Sequence, residues 1–264
     1  MFSDFKSKLK TALKRLISPQ LITKIRTETS STPTPLDRKT IATLYLDGHG
    51  IEIGALHNPL PLPVTAQVKY VDCMTVSELK SHYPELGDVP FVEPDILDNG
   101  ETLERIANAS QDFVIANHFI EHCQDPIRTF QSMLRVLKPN GILYLGIPDK
   151  RYTFDEHRPV TPITHLLQDH DEGPEQSRES HYIECIKFSW LKYTNADEGR
   201  DDPRVGEMAR QFMARNYSIH FHVWTQTEIL ELIVTLKKTF NLAFEVELFL
   251  KHQDEMILII RKNS

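Results

Sequence analysis

Beyond residue 50 the chain alternates short apolar runs with segments whose apolar residues recur every three or four positions. Residues 51–55, 68–72, 91–96, 112–116 and 141–147 read as strands, the third weakened by Pro94. Residues 76–83 are helix-like, and residues 126–137 set Ile127, Phe130, Met133, Leu134 and Leu137 on one helical face. Lys138-Pro139-Asn140-Gly141 then stops that helix. Continuous apolar strands alternating with helices predict a parallel sheet covered on both faces.

The tail reads as a helix over 226–240 and strands over 244–250 and 256–260, joined by the polar turn His252-Gln253-Asp254-Glu255. So short a link permits a hairpin and not a parallel crossover. The fold class predicted is therefore α/β: a doubly wound, Rossmann-like sheet of seven strands, mostly parallel, with a C-terminal antiparallel hairpin strand. Residues 150–220 break the alternation, being rich in His, Asp, Glu and Arg with helical stretches at 182–192 and 207–216. A structureless loop of that length is unusual in a compact domain. The segment reads as a partly helical insertion, too polar for a core of its own and placed to fold over a site as a lid.

The first 26 residues differ. Phe2, Phe5, Leu9, Leu13, Leu16 and Ile17 share one helical face, and Lys6, Lys8, Lys10, Lys14, Arg15, Lys24 and Arg26 stand against Asp4 alone. Such a helix packs on the domain, lies on anionic lipid or binds a partner. Its charged residues leave no continuous apolar stretch for a secretion signal. Residues 27–35 are polar with two prolines and read as a linker. The expected organisation is a basic amphipathic helix plus linker over 1–44 and one domain over 45–264, with its insertion at about 150–220. The net charge is −7, so the body beyond the arm is more acidic than the whole. Wide contact with nucleic acid, which needs basic surface, is not expected. Cys73, Cys123 and Cys185 lie far apart without a C-x-x-C pair, which argues against a disulfide framework and a thiolate zinc site. A cytoplasmic protein is expected, with peripheral membrane contact open to residues 1–26.

In open α/β sheets a ligand binds beyond the carboxyl ends of the strands. Those positions hold Glu52 and Gly54, Asp72, Asp95, Asn117 and His118, and Pro148-Asp149. Acidic residues on the first three strands suit sugar hydroxyls, an adenine amino group and an ammonium group. They do not suit pyrophosphate, which wants glycine-rich backbone. The order I-E-I-G-A, V-K-Y-V-D, E-P-D-I, D-F-V-I-A-N-H-F-I-E-H and L-K-P-N-G-I-L-Y-L-G-I-P-D resembles the class I S-adenosylmethionine-dependent methyltransferases over roughly residues 45–150. The resemblance implies S-adenosylmethionine as cofactor, with Gly54 and Ala55 under its methionine part. It implies Asp72 on the ribose hydroxyls, Asp95 and Ile96 near adenine, and Asn117 and His118 beside the sulfonium and the acceptor. Glu52 joins the cofactor set. The chain departs from the family's E-x-G-x-G-x-G: it reads Glu52-Ile53-Gly54-Ala55-Leu56-His57-Asn58-Pro59. Asn58 is the residue that would take a left-handed turn in place of glycine.

The expected reaction is methyl transfer to an oxygen, less readily a nitrogen, of a small molecule or sugar-type acceptor. An alcohol must lose its proton, and His118, His220 and His222 are the candidate bases. Asp149, Arg151 and Tyr152 follow the fifth strand and are expected at the acceptor, with Arg151 free to clamp an anionic group. Glu121-His122 resembles the metal-binding segment of quinone O-methyltransferases, but His122 reads more simply as a packing residue, and no metal is expected. Two rival classes stand beside this reading. One is a catalytically inactive methyltransferase-like binding or scaffold module. The other is a nicotinamide oxidoreductase, disfavoured by the lack of G-x-G-x-x-G.

Overall fold

The structure, a computed structural model, describes residues 36–195 and 197–264. The predicted N-terminal helix over 1–26 and the linker over 27–35 lie outside the described residues. Helix α1 (Arg38–Tyr45), which falls within the stretch read as helix plus linker, is capped by Asp37 accepting from the Thr40 backbone N–H. It buries Ile41 and Ala42 and packs on the sheet as part of the domain.

Seven strands follow: β1 (Gly48–Ile53), β2 (Ala66–Asp72), β3 (Ile96–Leu97), β4 (Gln111–Asn117), β5 (Leu137–Pro148), β6 (Phe244–His252) and β7 (Glu255–Lys262). They form one sheet in the order β3-β2-β1-β4-β5-β7-β6. Every pairing is parallel except those of β7, antiparallel to both β5 and β6. The mostly parallel sheet and its single antiparallel strand agree with the sequence reading. The third strand does not. It is only two residues long, begins where the prediction ended, and pairs Ile96 and Leu97 with Val71 and Asp72. Pro94 has no N–H to give a ladder, so pairing starts beyond it.

One sheet face is covered by α3 (Pro126–Val136) and α7 (Gln226–Lys238), which bury Ile127, Phe130, Met133, Ile229, Leu232 and Leu236 in the main core. On the other face α1 packs with Leu60 against Phe113, Ile115, Tyr144, Ile257 and Ile259. Between β2 and β3 lies α2 (Val76–His82), opened by a capping box of Thr75 and Glu78. The insertion carries α4 (Ile163–Glu172), α5 (Arg178–Cys185), a π-helical turn at Ile186–Trp190 and α6 (Pro203–Ala214). Contrary to expectation it has a small core of its own, of Tyr182, Cys185, Ile186, Val205, Ala209, Ile219 and Phe221. Its composition is polar, but α5 and α6 each hold their few apolar residues on one helical stripe, and facing stripes suffice to make a core.

Candidate active site

At the carboxyl ends of β1, β2 and β4 lies a cavity of about 620 Å³, within the roughly 300–1,000 Å³ of ligand sites. The sheet side supplies Gly54, Asp72, Asn99, Gly100, His118 and Phe119, and the insertion with its return segment supplies Arg178, Tyr182, Arg215, Ser218 and Phe221. Residues of the insertion thus form part of the cleft wall.

The turn after β1 needs two left-handed residues, Gly54 at φ 63° and Leu56 at φ 48°. Leu56 takes the conformation expected of Asn58, whose N–H instead closes a turn onto the Ala55 carbonyl. A Cβ on Gly54 would meet only Phe119, at 3.5 Å, so the glycine leaves the cavity floor open there. Asp72 ends β2 in the cavity, its Oδ1 accepting from the Met74 N–H at 3.1 Å, and burial pushes its carboxyl pKa up.

Several predicted residues stand elsewhere. Glu52 does not line the cavity. It points under the turn and accepts from the Leu60 N–H at 2.9 Å, so it shapes the loop from beneath. Asp95 is exposed and accepts from the Tyr70 N–H at 2.8 Å, while Ile96 packs at the margin of the main core. The loop that reaches the cavity is the next one. Asp98 accepts from the Asn99 and Arg105 N–H groups and so presents Asn99 and Gly100 to the cleft. The shortened β3 moved this turn three residues along the chain, which is why the sequence reading missed it. Ala55 and Asn117 are absent from the lining. Asn117 sits so close to Gly146 that a Cβ there would lie 2.8 Å from its Oδ1.

His118 faces the cavity at φ 49° with 40% of its side chain exposed. Its Nε2 is 3.2 Å from Oε2 of Glu255, and its Nδ1 is 3.7 Å from Oε1 of Glu121. Glu255, from the start of β7, is also bound by Arg38 and His252. Burial opposes its charge, but the His118 and Arg38 hydrogen bonds prevail and bring its pKa to about 2. Partial burial works against the His118 imidazolium, and the Glu255 hydrogen bond and the Glu121 charge outweigh it, so its pKa lies above the usual 6.5. Glu121 is fully buried, and burial raises its pKa.

Behind Glu121 stands His220, its Nε2 4.0 Å away and its Nδ1 2.6 Å from Oδ2 of Asp155. His118, Glu121, His220 and Asp155 thus form a chain of acid and imidazole groups running inward from the cleft. His222 does not join it. Its side chain is 0% exposed, stacked on Trp224 and turned toward Asp169, which removes it as a base. The acceptor residues predicted after β5 are also misplaced. Arg151 is taken up by a bidentate pair with Asp149 at 2.9 and 2.6 Å. Tyr152 is exposed under Lys251. None of the three lines the cavity, because the Asp149 side chain caps the turn Lys150–Tyr152 and bends the chain away. Glu255, Asp155 and Arg38 were invisible in the sequence, since only the fold brings Glu255 to His118, Arg38 to Glu255 and Asp155 to His220.

Glu52 supplies a test of stability. Burial raises its pKa to about 7. A folded pKa raised above the unfolded value gives stability that is complete below the unfolded pKa and lost as pH rises through 7. Glu52→Gln keeps an acceptor for Leu60 and removes the buried charge. At pH 8 it is expected to raise the unfolding free energy by about 3 kcal/mol, at about 1.4 kcal/mol per pKa unit, with no gain at pH 4. Urea titrations at the two pH values check it, and equal effects at both would refute the assignment.

Residues 50–145 match the family described as a methyltransferase domain. A candidate Zn-dependent alcohol dehydrogenase from Rhodobacter sphaeroides is similar in fold, with a TM-score of 0.53 at 15% identity over 90% of this chain and 94% of its own. A SAM-dependent methyltransferase from Methanosarcina mazei aligns at 21% identity over 86% of this chain and 99% of its own, with a TM-score of 0.43. A candidate S-adenosyl-L-methionine-dependent methyltransferase from Methanococcus maripaludis aligns at 15% identity over 83% and 79%, with a TM-score of 0.41. No curated protein matches the chain. Among the described residues no helix is long and apolar enough to cross a membrane.

Proposed function

We propose that this chain, whose residues 50–145 match a methyltransferase domain, is a class I S-adenosylmethionine-dependent methyltransferase that methylates a hydroxyl oxygen of a small or sugar-type acceptor, with His118 as the base. The observation that carries the proposal is the joining, in one cavity, of a cofactor end at Gly54 and Asp72 with an imidazole backed by two carboxylates. The residues fit the cofactor. Asp72 offers a carboxylate to a ribose diol, the bare Gly54 leaves room over Phe119, and Asn99 and Gly100 border the space for the base. When bound, S-adenosylmethionine supplies an activated methyl group for an in-line displacement.

The protein's own part is alignment, exclusion of water and removal of a proton. Phe119 and Phe221 give the cavity apolar walls, and Arg178 and Arg215 offer donors to a hydroxyl-rich or anionic acceptor. His118 Nδ1 takes the hydroxyl proton, and Glu121 and Glu255 stabilise the imidazolium that results. The basic, amphipathic sequence of residues 1–26 supports contact with anionic lipid.

Calorimetry tests the premise and the site together. S-adenosylhomocysteine is expected to bind and NAD is not. Asp72→Ala should weaken S-adenosylhomocysteine by about 1.5–3 kcal/mol, the range for hydrogen bonds to a charged group, with the fold unchanged. Unaltered affinity in that variant would remove Asp72 from the site. A wild-type chain that binds neither ligand would point to the non-catalytic scaffold. Incubation with labelled S-adenosylmethionine and a panel of hydroxyl- and amine-bearing small molecules then tests the acceptor class.

A further inference from the structure

We infer that the insertion is stapled to the body by a structural tetrahedral metal ion, zinc by its ligand chemistry, held by His165, Asp169, His181 and His222. These residues come from three separate elements. His165 and Asp169 lie one turn apart on α4, His181 is on α5, and His222 is on the extended segment leading to α7. One ligand atom from each converges, all within 4.8 Å of one another. Oδ2 of Asp169 lies 3.3 Å from His165 Nε2, 3.6 Å from His181 Nε2 and 3.8 Å from His222 Nε2. The Nε2 atoms of His165 and His181 are 3.1 Å apart. A zinc ion with bonds of about 2.0–2.1 Å requires neighbouring ligands about 3.3–3.4 Å apart at the tetrahedral angle. The four measured edges bracket that spacing.

The surroundings favour a closed site. Asp169 and His222 are sealed from solvent and His181 nearly so, with only His165 reaching the surface in part. Oδ2 of Asp169 is buried without a hydrogen-bond partner, while Oδ1 accepts from the Ser177 hydroxyl at 2.5 Å. The oxygen facing the imidazoles is thus left over, and the other is fixed by an outer hydrogen bond, as in protein metal sites. Three imidazoles and one carboxylate suit zinc better than calcium or magnesium, which take oxygen ligands. Four protein ligands leave no open position, so the ion is structural. It is separate from the acceptor base, though it secures the cleft wall, because Phe221 lines the cavity beside His222. The sequence reading expected no metal; these four residues are scattered from 165 to 222 with no recognisable ligand spacing.

The rival arrangement is a metal-free cluster joined by imidazole hydrogen bonds. The full chain, purified and dialysed against metal-free buffer, should carry one zinc by mass spectrometry. Exchange for cobalt should give the intense visible bands of tetrahedral coordination. Chelation should lower the melting temperature by at least about 5 °C, and added zinc should restore it. Asp169→Asn and His181→Gln should each cut zinc content at least tenfold. Glu121→Gln, which alters the neighbouring Glu121, His122 and His220 group, should keep it. A wild-type chain free of zinc, with no cobalt bands and no response to chelator, overturns the inference. So does zinc lost from Glu121→Gln and kept by both other variants.

Discussion

His118→Asn is expected to lower turnover by about 10²–10⁴-fold, the usual contribution of a positioned general base, while leaving S-adenosylhomocysteine affinity near wild type. Asparagine is chosen because His118 has a left-handed backbone at φ 49°, which asparagine tolerates better than most residues. The side chain is partly exposed, so the fold should survive. A base works in its neutral form, and the carboxylates around His118 hold its pKa above 6.5. The rising limb of kcat/KM should therefore lie above pH 6.5. Glu255→Gln removes one of those carboxylates and should move the limb to lower pH. Turnover of His118→Asn within a few-fold of wild type, or a limb unmoved by Glu255→Gln, would rule out His118 as the base.

The second large effect concerns Arg158, buried with 0% of its side chain exposed. Its guanidinium donates to Glu184 at 2.9 Å, to Asp155 at 3.1 Å, and to the carbonyls of His220 and Phe221 at 2.8 and 3.3 Å. One cation thus joins α5, the acid behind His220 and the cleft wall. Removing a single partner from a buried ion pair typically costs 3–5 kcal/mol, because the remaining charge is left uncompensated. Arg158→Ala should lose about that much unfolding free energy, and Arg158→Lys less, since lysine keeps the charge without the fork. Urea denaturation followed at Trp190 and Trp224 measures both. A loss under about 1 kcal/mol in the alanine variant would show that the network carries little of the fold.

Residues with opposite outcomes show how far a sequence can be read. Ile51, Val114, Leu143 and Leu258 announced their strands by continuous apolar runs, because a parallel sheet covered on both faces demands them. Gly54, Asp72 and His118 were legible for a related reason: strand ends face the cleft in any sheet of this kind. Asp95 failed where local chemistry intervened, since Pro94 delayed pairing and carried the loop on to Asp98. His222 failed differently, for nothing in His220-Phe221-His222 tells which imidazole meets the cleft and which meets Asp169.

By itself, then, the sequence determined the α/β class, the single antiparallel strand and the strand ends at Gly54, Asp72 and His118 that border the cleft. These follow from periodicity, turn length and chain direction, which are properties of neighbouring residues. The tertiary structure alone decided that Glu255 and Arg38 stand beside His118, that Asp155 supports His220, that Arg151 turns to Asp149, and that three histidines meet Asp169. Those contacts reach across as many as 217 positions, or join near neighbours in a way that depends on how a turn bends or which side of a helix is buried. Their energies reside in burial and charge, and only the packed chain creates the low-polarity surroundings that make such pairs form.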